Sequence, residues 1–285
     1  MTDGPLRWQV GDVRITRVVE LTSATIGHYI LPQANADNIG AVDWIGPFLT
    51  DDGKLLMSFH SLVVESLGQT IVVDTCIGND KVRGYPRWDR MQSKFLDDFA
   101  EAGFALEAVD TVLCTHMHVD HVGWNTRLVD GRWQPTFGAA RYLYARDEWR
   151  HWREQPSDDT GPIIEDSVQP IFDAGLADLV DADAAVNDEV RLVPTPGHTP
   201  GHVSVAIRSR GEEAVITGDM IHHPCQIAYP DWSTTADSDQ DWARDTRKSF
   251  LDRHADSPVL VIGTHFAGPT AGRLVRDGDR YRLDV

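Results

Sequence analysis

The stretch "THMHVDHVGW", residues 115–124, sets three histidines and an aspartate within six positions, at His116, His118, Asp120 and His121. Imidazole and carboxylate are the side chains that bind divalent cations or move protons near neutral pH. Packing these polar groups together just behind an apolar run has few purely structural reasons, because burying them unsatisfied is costly. A polar loop is the plain alternative.

Further donors follow other apolar runs. "EVRLVPT" leads into "PGHTPGH", with His198 and His202; "EAVIT" leads into "GD", with Asp219; "VLVIGT" leads to His265. Each alone reads as a satisfied polar residue or a turn, since Pro and Gly punctuate loops. Taken together, four predicted strands each end beside a His or Asp, where the ligand-binding groups of α/β proteins converge. The inventory exceeds what one tetrahedral ion takes and suits two ions sharing a bridging carboxylate.

The elements that must position these residues are legible from periodicity. "DVRITRVV" alternates, and "HSLVVES" and "TIVVDT" flank a Gly turn as a hairpin. "QSKFLDDFAEAGF" puts Phe95, Leu96, Phe99 and Ala100 on one helical face, ahead of the buried strand "DTVLCT". Strand "ARYLYA", helix "RDEWRHWREQ", a helical stretch near 167–179, and strands "EVRLVPT", "HVSVAIRS" and "EAVITGD" follow. A last helix starts near Ser238, where S-D-Q-D resembles a capping box, and carries Trp242, Thr246, Phe250 and Leu251. Strand "PVLVIGT" and a closing hairpin end the chain. Such alternation predicts an α/β protein with two facing sheets and helices outside, as a single domain over 1–285. Segment 23–56 is long, turn-rich and apolar; it reads as a pocket wall, lid or homodimer contact, or as an irregular excursion packing its own aromatics.

Composition narrows the class. Of 285 residues 41% are hydrophobic, enough for a large core, and no apolar run is long enough to span a bilayer. The start of the chain has no secretory pattern. Cys76, Cys114 and Cys225 are three, widely spaced and without a CxxC, which reads as reduced thiols in a cytoplasmic protein. Acidic residues outnumber basic ones 44 to 26, for a formal charge of −18. That balance repels nucleic acid and anionic membrane and favours a small-molecule substrate.

The order H-x-H-x-D-H, P-G-H-T, G-D, then a late G-T-H resembles the metallo-β-lactamase superfamily from the strand before Asp74 to His265. The resemblance implies a four-layered αβ/βα sandwich with two mixed β-sheets and a dinuclear metal site. It assigns His116, His118 and His198 to one ion, and Asp120, His121 and His265 to the other, with Asp219 bridging. His202 and Asp74 become supports behind the ligands. Cys76 stands where the family commonly has Gly after "VDT".

The features after Asp219, "GDMIHHPCQIAYP", are most similar to the lactonase and methyl parathion hydrolase-like branch. That resemblance implies hydrolysis of an ester or lactone of a small, fairly apolar substrate by a metal-bridging hydroxide. Two zinc ions are the first expectation, with manganese, iron or cobalt as alternatives. Asp120 is then the proton-transfer residue. His222 falls at the offset where lactonases of the branch place a Tyr on the substrate carbonyl, so a catalytic hydrogen bond is expected of it. Trp124, Trp44, Phe48 and Trp88 are candidate pocket walls, with core packing as the alternative. Phosphotriesterase-like or dehalogenating activity on an aromatic compound, and a non-catalytic metal-binding module, are the competing readings.

Overall fold

The computed structural model describes residues 5–24, 27–154 and 161–285. The chain forms two compact units: Met1–Leu21 with Phe59–Ala184, and Thr22–Ser58 with Ala185–Val285. Its first strands are β1 (Arg7–Val10) and β2 (Val13–Ser23). Segment 23–56, of which residues 25–26 lie outside the described residues, is not one long loop. It folds into α1 (Gly27–Ile30), α2 (Ala36–Gly40) and a 3₁₀ turn at Gly46–Phe48. Leu31, Ile39, Val42, Ile45 and Phe48 are buried with Met220, Ile227 and Phe266 in the core of the second unit. The apolar residues that suggested a dimer contact therefore lie inside that unit, while Tyr29 stays exposed.

In the first unit, β3 (Met57–Ser66) and β4 (Gln69–Val73) form the expected hairpin, with Val63 opposite Val72. α3 (Phe95–Glu101) buries Phe95 and Phe99, one turn apart; Leu96 is half-buried and Ala100 is exposed, so the helix seats on two rings and not on a four-residue face. Burying a Phe side chain contributes about 1.5–3 kcal/mol, enough to hold a seven-residue helix too short to persist alone. β5 (Thr111–Leu113) follows, then a hairpin of β6 (Thr126–Val129) and β7 (Arg132–Pro135). β8 (Arg141–Ala145), α4 (Arg146–Glu154), α5 (Gln169–Asp173) and β9 (Ala177–Val180) complete the unit. Gln155, read from sequence as the end of α4, lies outside the described residues. The helical stretch expected near 167–179 ends early: Gly175 takes a φ of +69°, and 177–180 pairs with β8 as a strand. The sheet order is β1-β2-β3-β4-β5-β8-β9. β4 and β5 are parallel, with Val73 opposite Leu113, so Asp74 and the 114–121 cluster leave the same sheet edge.

The second unit carries β10 (Val190–Pro194), β11 (Val203–Ser209), β12 (Glu212–Ile216), the short α6 (Cys225–Ala228), α7 (Gln240–His254), β13 (Leu260–Ile262), β14 (Ala271–Asp277) and β15 (Arg280–Asp284). They pair in sequence order as one six-stranded sheet. β12 and β13 are parallel, with Ile216 opposite Ile262, while β11 runs antiparallel to both β10 and β12. The ends of β10, β12 and β13 and the start of β11 therefore share one edge, which puts the loops bearing His198, His202, Asp219 and His265 together. α7 begins at N-cap Asp239, whose side chain accepts from Trp242 N–H, one residue after the expected Ser238. Its buried stripe is Ala243, Arg247, Phe250 and Leu251; Trp242, expected in that stripe, is 46% exposed.

Candidate metal centre

Each unit brings its own donors to its own sheet edge. In the first, Asp74 organises the cluster. Its Oδ1 accepts Thr115 N–H at 2.7 Å; its Oδ2 accepts the Thr115 hydroxyl and His121 Nδ1, both at 2.9 Å. Thr115 Oγ1 in turn stands 3.1 Å from His116 Nδ1. One buried carboxylate thus orients two candidate ligands, one directly and one through a hydroxyl. This requires an unusual backbone: φ is +58° at Asp74 and +52° at Cys76, the left-handed region that favours glycine. Strain of that kind costs on the order of 1–3 kcal/mol per residue and persists only where surrounding contacts enforce it. They do so here: Thr75 N–H bonds His121 O, Gly123 N–H bonds Cys76 O, and Trp124 N–H bonds Thr75 O. The departure at Cys76 is therefore one of residue type alone, since the chain keeps the glycine-like turn.

His116 Nε2 lies 3.0 Å from His118 Nδ1, and the rings of His116 and His121 are 4.0 Å apart. His118 meets Trp152 edge-on, and the Trp152 indole and Met117 N–H both donate to the buried Glu148 carboxylate. Asp120 is half-buried, with Oδ1 3.8 Å from His121 Nε2.

In the second unit, Asp219 is the hub. Its Oδ1 lies 3.2 Å from His265 Nε2; its Oδ2 lies 3.6 Å from His198 Nε2 and 3.1 Å from His222 Nε2. His202 engages both ring nitrogens elsewhere: Nδ1 on Thr195 O at 3.0 Å, and Nε2 accepting Asp219 N–H at 2.8 Å. It therefore holds the Asp219 backbone. A side chain at Gly218 would meet the His202 ring at 2.5 Å, so the Gly of "TGD" is a packing requirement.

The hydrogen-bond acceptors test whether these residues suit a cation. His121, His198 and His265 direct Nδ1 at Asp74 Oδ2, Asp237 Oδ1 and the Ser58 carbonyl, all oxygens that can only accept. A ring that donates from Nδ1 carries its lone pair on Nε2. In the second unit those lone pairs face the two oxygens of Asp219, and in the first His116 Nε2 faces another imidazole nitrogen. A neutral ring's lone pair aimed at a carboxylate oxygen is repelled unless a cation lies between them, whereas His116 and His118 can share a proton as a hydrogen bond. The donors fit divalent metal, with nitrogen and oxygen types suited to zinc and its neighbours.

The sequence matches the Metallo-beta-lactamase superfamily over residues 58–278. The chain belongs to that superfamily. Among curated relatives of this superfamily member, the probable metallo-hydrolase YybB of Bacillus subtilis is 27% identical over 222 residues, covering 75% of this chain and 83% of its own. Solved structures agree in fold. Hydrolase AbOPH aligns with a TM-score of 0.80 at 22% identity, covering 100% of this chain and 98% of its own. AidC, a dizinc quorum-quenching lactonase, aligns at 0.78 and 20%, covering 98% and 96%. AiiA of B. thuringiensis aligns at 0.62 and 17%, covering 90% and 94%. The α/β class and mixed sheets are thus those of the lactamase fold, and the chain is a metallo-hydrolase of it.

Other expected site residues have specific surroundings. His222 is buried, its Nε2 is on Asp219, and its Nδ1 has no hydrogen-bond partner among the described residues. Burial, opposed by Asp219, lowers its pKa. Trp124 stacks on Phe95 and donates its indole N–H to Glu20, a half-buried carboxylate that also accepts from Ile77, Gly78 and Ser93. Burial, opposed by those donors, raises the Glu20 pKa. Trp88 packs edge-on against Phe59 and Tyr85, Phe48 against His223 and Phe266, and the half-buried Trp44 against the second unit's core. Core packing is what these contacts describe. A cavity of 890 Å³ in the second unit, lined by Val193, Val215, Trp242 and Phe250 among others, contains none of the donors.

Sequence reading missed Glu20, Glu148, Asp237 and Arg247. Asp237 lies in "STTADSDQD", where only a helix start was visible. The other three sit in ordinary helix or strand patterns, and only tertiary contacts give them a role.

Proposed function

We propose that this chain is a dinuclear metal-dependent hydrolase that cleaves an ester or lactone of a small, fairly apolar, soluble substrate in the cytoplasm. His116, His118, His198 and Asp219 would hold one ion and Asp120, His121 and His265 the other, with Asp219 shared between them as the family resemblance implies. The observation that carries the reading is Asp219, whose two oxygens each face the lone-pair nitrogen of a different histidine, as a carboxylate shared by two cations would. The metal-hydrolase type of its relatives and the lactonases among its structural neighbours support the substrate class.

Two bound divalent cations would supply water activated near neutral pH and Lewis-acid polarisation of the scissile group. The chain's own part is proton movement and orientation. An Asp120 carboxylate oxygen takes the proton of the attacking water and returns it to the leaving oxygen. Asp74 and Asp237 hold imidazole tautomers, and His202 holds the Asp219 backbone. His222 Nε2–H steadies Asp219 Oδ2; donating to a developing oxyanion, the role expected of it, would need a proton on Nδ1 as well.

Metal analysis with a panel of lactones, aryl esters and phosphotriesters tests the reading. Two ions per chain, with lactone or aryl ester as the best substrate, is the expected result. Asp120→Asn should keep the fold and bound metal yet lose at least 100-fold in turnover. A single ion, or a phosphotriester as the best substrate, would overturn the reading, as would near-normal turnover of Asp120→Asn for the proton role.

A further inference from the structure

We propose that Asp237 is a positioning residue of the metal centre, setting the affinity of one of the two ions through His198, as Asp74 does for the other through His121. The inference rests on the assignment above of His198 and His121 to different ions. Its ground is geometric. Asp237 Oδ1 and His198 Nδ1 are 2.9 Å apart, and neither side chain reaches solvent. The other oxygen, Oδ2, accepts Thr234 N–H at 2.8 Å, so the carboxylate is fixed at both ends.

The backbone around the pair is tied as well. Ser238 N–H donates to His198 O at 2.8 Å, and Asp239 N–H to Gly197 O at 3.0 Å. Gly197 has a φ of +125°, and a Cβ there would fall 2.3 Å from Ala243 N, so the first turn of α7 closes directly on the "PGH" turn. Residues 237–239 and the start of α7 therefore form the seat of His198.

That seat is itself anchored. The guanidinium of Arg247, fully buried on α7, donates to the carbonyls of Met220 at 2.9 Å, Pro230 at 3.1 Å and Trp232 at 2.6 Å. Those carbonyls span the chain between Asp219 and Asp237. Arg247 thus ties the segment after one donor to the segment carrying the support of another.

Among the four candidate ligand rings whose Nδ1 meets an oxygen, two face carboxylates, His121 and His198. His116 faces a hydroxyl and His265 a carbonyl. A carboxylate on the far nitrogen fixes the tautomer and raises the basicity of the ligating one, and its loss typically costs 10–100-fold in metal affinity. In the proposed assignment each ion receives one carboxylate-backed histidine.

The test strips the wild type, Asp237→Asn, Asp237→Ala and Asp74→Asn with a chelator and titrates each with Zn²⁺ at buffered free concentrations. Circular dichroism of the metal-free proteins monitors the fold. The wild type should take up two ions in resolvable steps. Asp237→Ala should weaken one step by 10–100-fold and leave the other, Asp237→Asn should lose less at the same step, and Asp74→Asn, whose carboxylate backs His121 directly and His116 only through Thr115, should weaken the opposite step the more. Equal weakening of both steps by Asp237→Ala would reduce the residue to a general fold element and overturn the inference. So would unchanged steps; if the Ala variant fails to fold, unchanged steps in Asp237→Asn decide likewise. A wild type that never binds two ions would sink the dinuclear reading instead, and this inference with it.

Discussion

Lys81 is a buried cation away from the metal donors, and it makes the stability of the first unit depend on pH. Its side chain is fully buried. Its Nζ donates to Thr126 Oγ1 at 2.8 Å and to Asp166 O at 3.1 Å, lies 3.6 Å from Asp166 Oδ1, and sits 3.8 Å from the centre of the Trp133 ring. Asp166 is already held by both terminal nitrogens of Arg83, at 2.7 and 3.0 Å. Burial outweighs the attraction of Asp166 and lowers the Lys81 pKa from 10.5 to about 7. Between those values the unfolded chain holds a proton that the folded chain lacks. Stability therefore rises with pH across the window, by about 1.4 kcal/mol per unit. The full lowering corresponds to about 5 kcal/mol of destabilisation below pH 7, a ceiling reached when the ammonium must be charged in place. Lys81→Met keeps the length and removes the charge. The variant should exceed the wild type by roughly 2–4 kcal/mol at pH 7, since the lost hydrogen bonds return part of the gain. The advantage should shrink steadily towards pH 9. Urea unfolding of both metal-free proteins at pH 7, 8 and 9 measures the difference. The thiols of Cys76, Cys114 and Cys225, pushed up by burial, add their own pH dependence near and above pH 9, but equally to both proteins. Parallel stability curves, or a variant less stable throughout, would refute the reasoning.

Substitutions at Gly123 and Glu20 probe the turn beneath the ligands, with Gly131 as a comparison in the β6–β7 hairpin. Gly123→Ala would put a Cβ 1.9 Å from the Ile77 carbonyl oxygen and 2.6 Å from that of Cys76, with backbone on both sides; a loss above about 4 kcal/mol is expected in thermal unfolding, whereas Gly131→Ala, facing open space at φ +74°, should cost about 1 kcal/mol. Glu20→Ala strands four donors around one half-buried site and should lower stability by about 2–4 kcal/mol, with a shift in tryptophan emission as the Trp124 indole loses its acceptor; unchanged emission and melting would show that Glu20 does not organise the turn.

Much of the site was legible because its chemistry is concentrated at strand ends. His116, His118, Asp120 and His121 follow a strand whose apolar run is plain, and His198, Asp219 and His265 each follow another. Parallel pairing of β4 with β5 and of β12 with β13 then does what such patterns imply. Periodicity misplaced what tertiary contacts decide. The strand at 177–180 is the four residues ADLV, too short to show a strand period of its own, and pairing with β8 makes it extended. The apolar residues of 23–56 looked spare because their partners, such as Met220 and Phe266, are far away in sequence. Asp237 and Glu20 were invisible for the same reason: a carboxylate acquires its role from the donors around it, and spacing does not record them.

The interleaving of the two units has a consequence for synthesis. The first unit has all its chain once residue 184 has been made, because it draws on nothing later. The second unit draws on 22–58, made early, and on 185–285, made last. During elongation Leu31, Ile39, Val42, Ile45 and Phe48 must wait, without their core, for about a hundred and thirty residues to emerge before 185 appears. At ribosomal speeds of about 5–20 residues per second that is a delay of roughly six to twenty-six seconds. An apolar segment left waiting that long is a natural place for a chaperone to bind. It also means that cutting the chain after Ala184 would leave 22–58 without the rest of its unit.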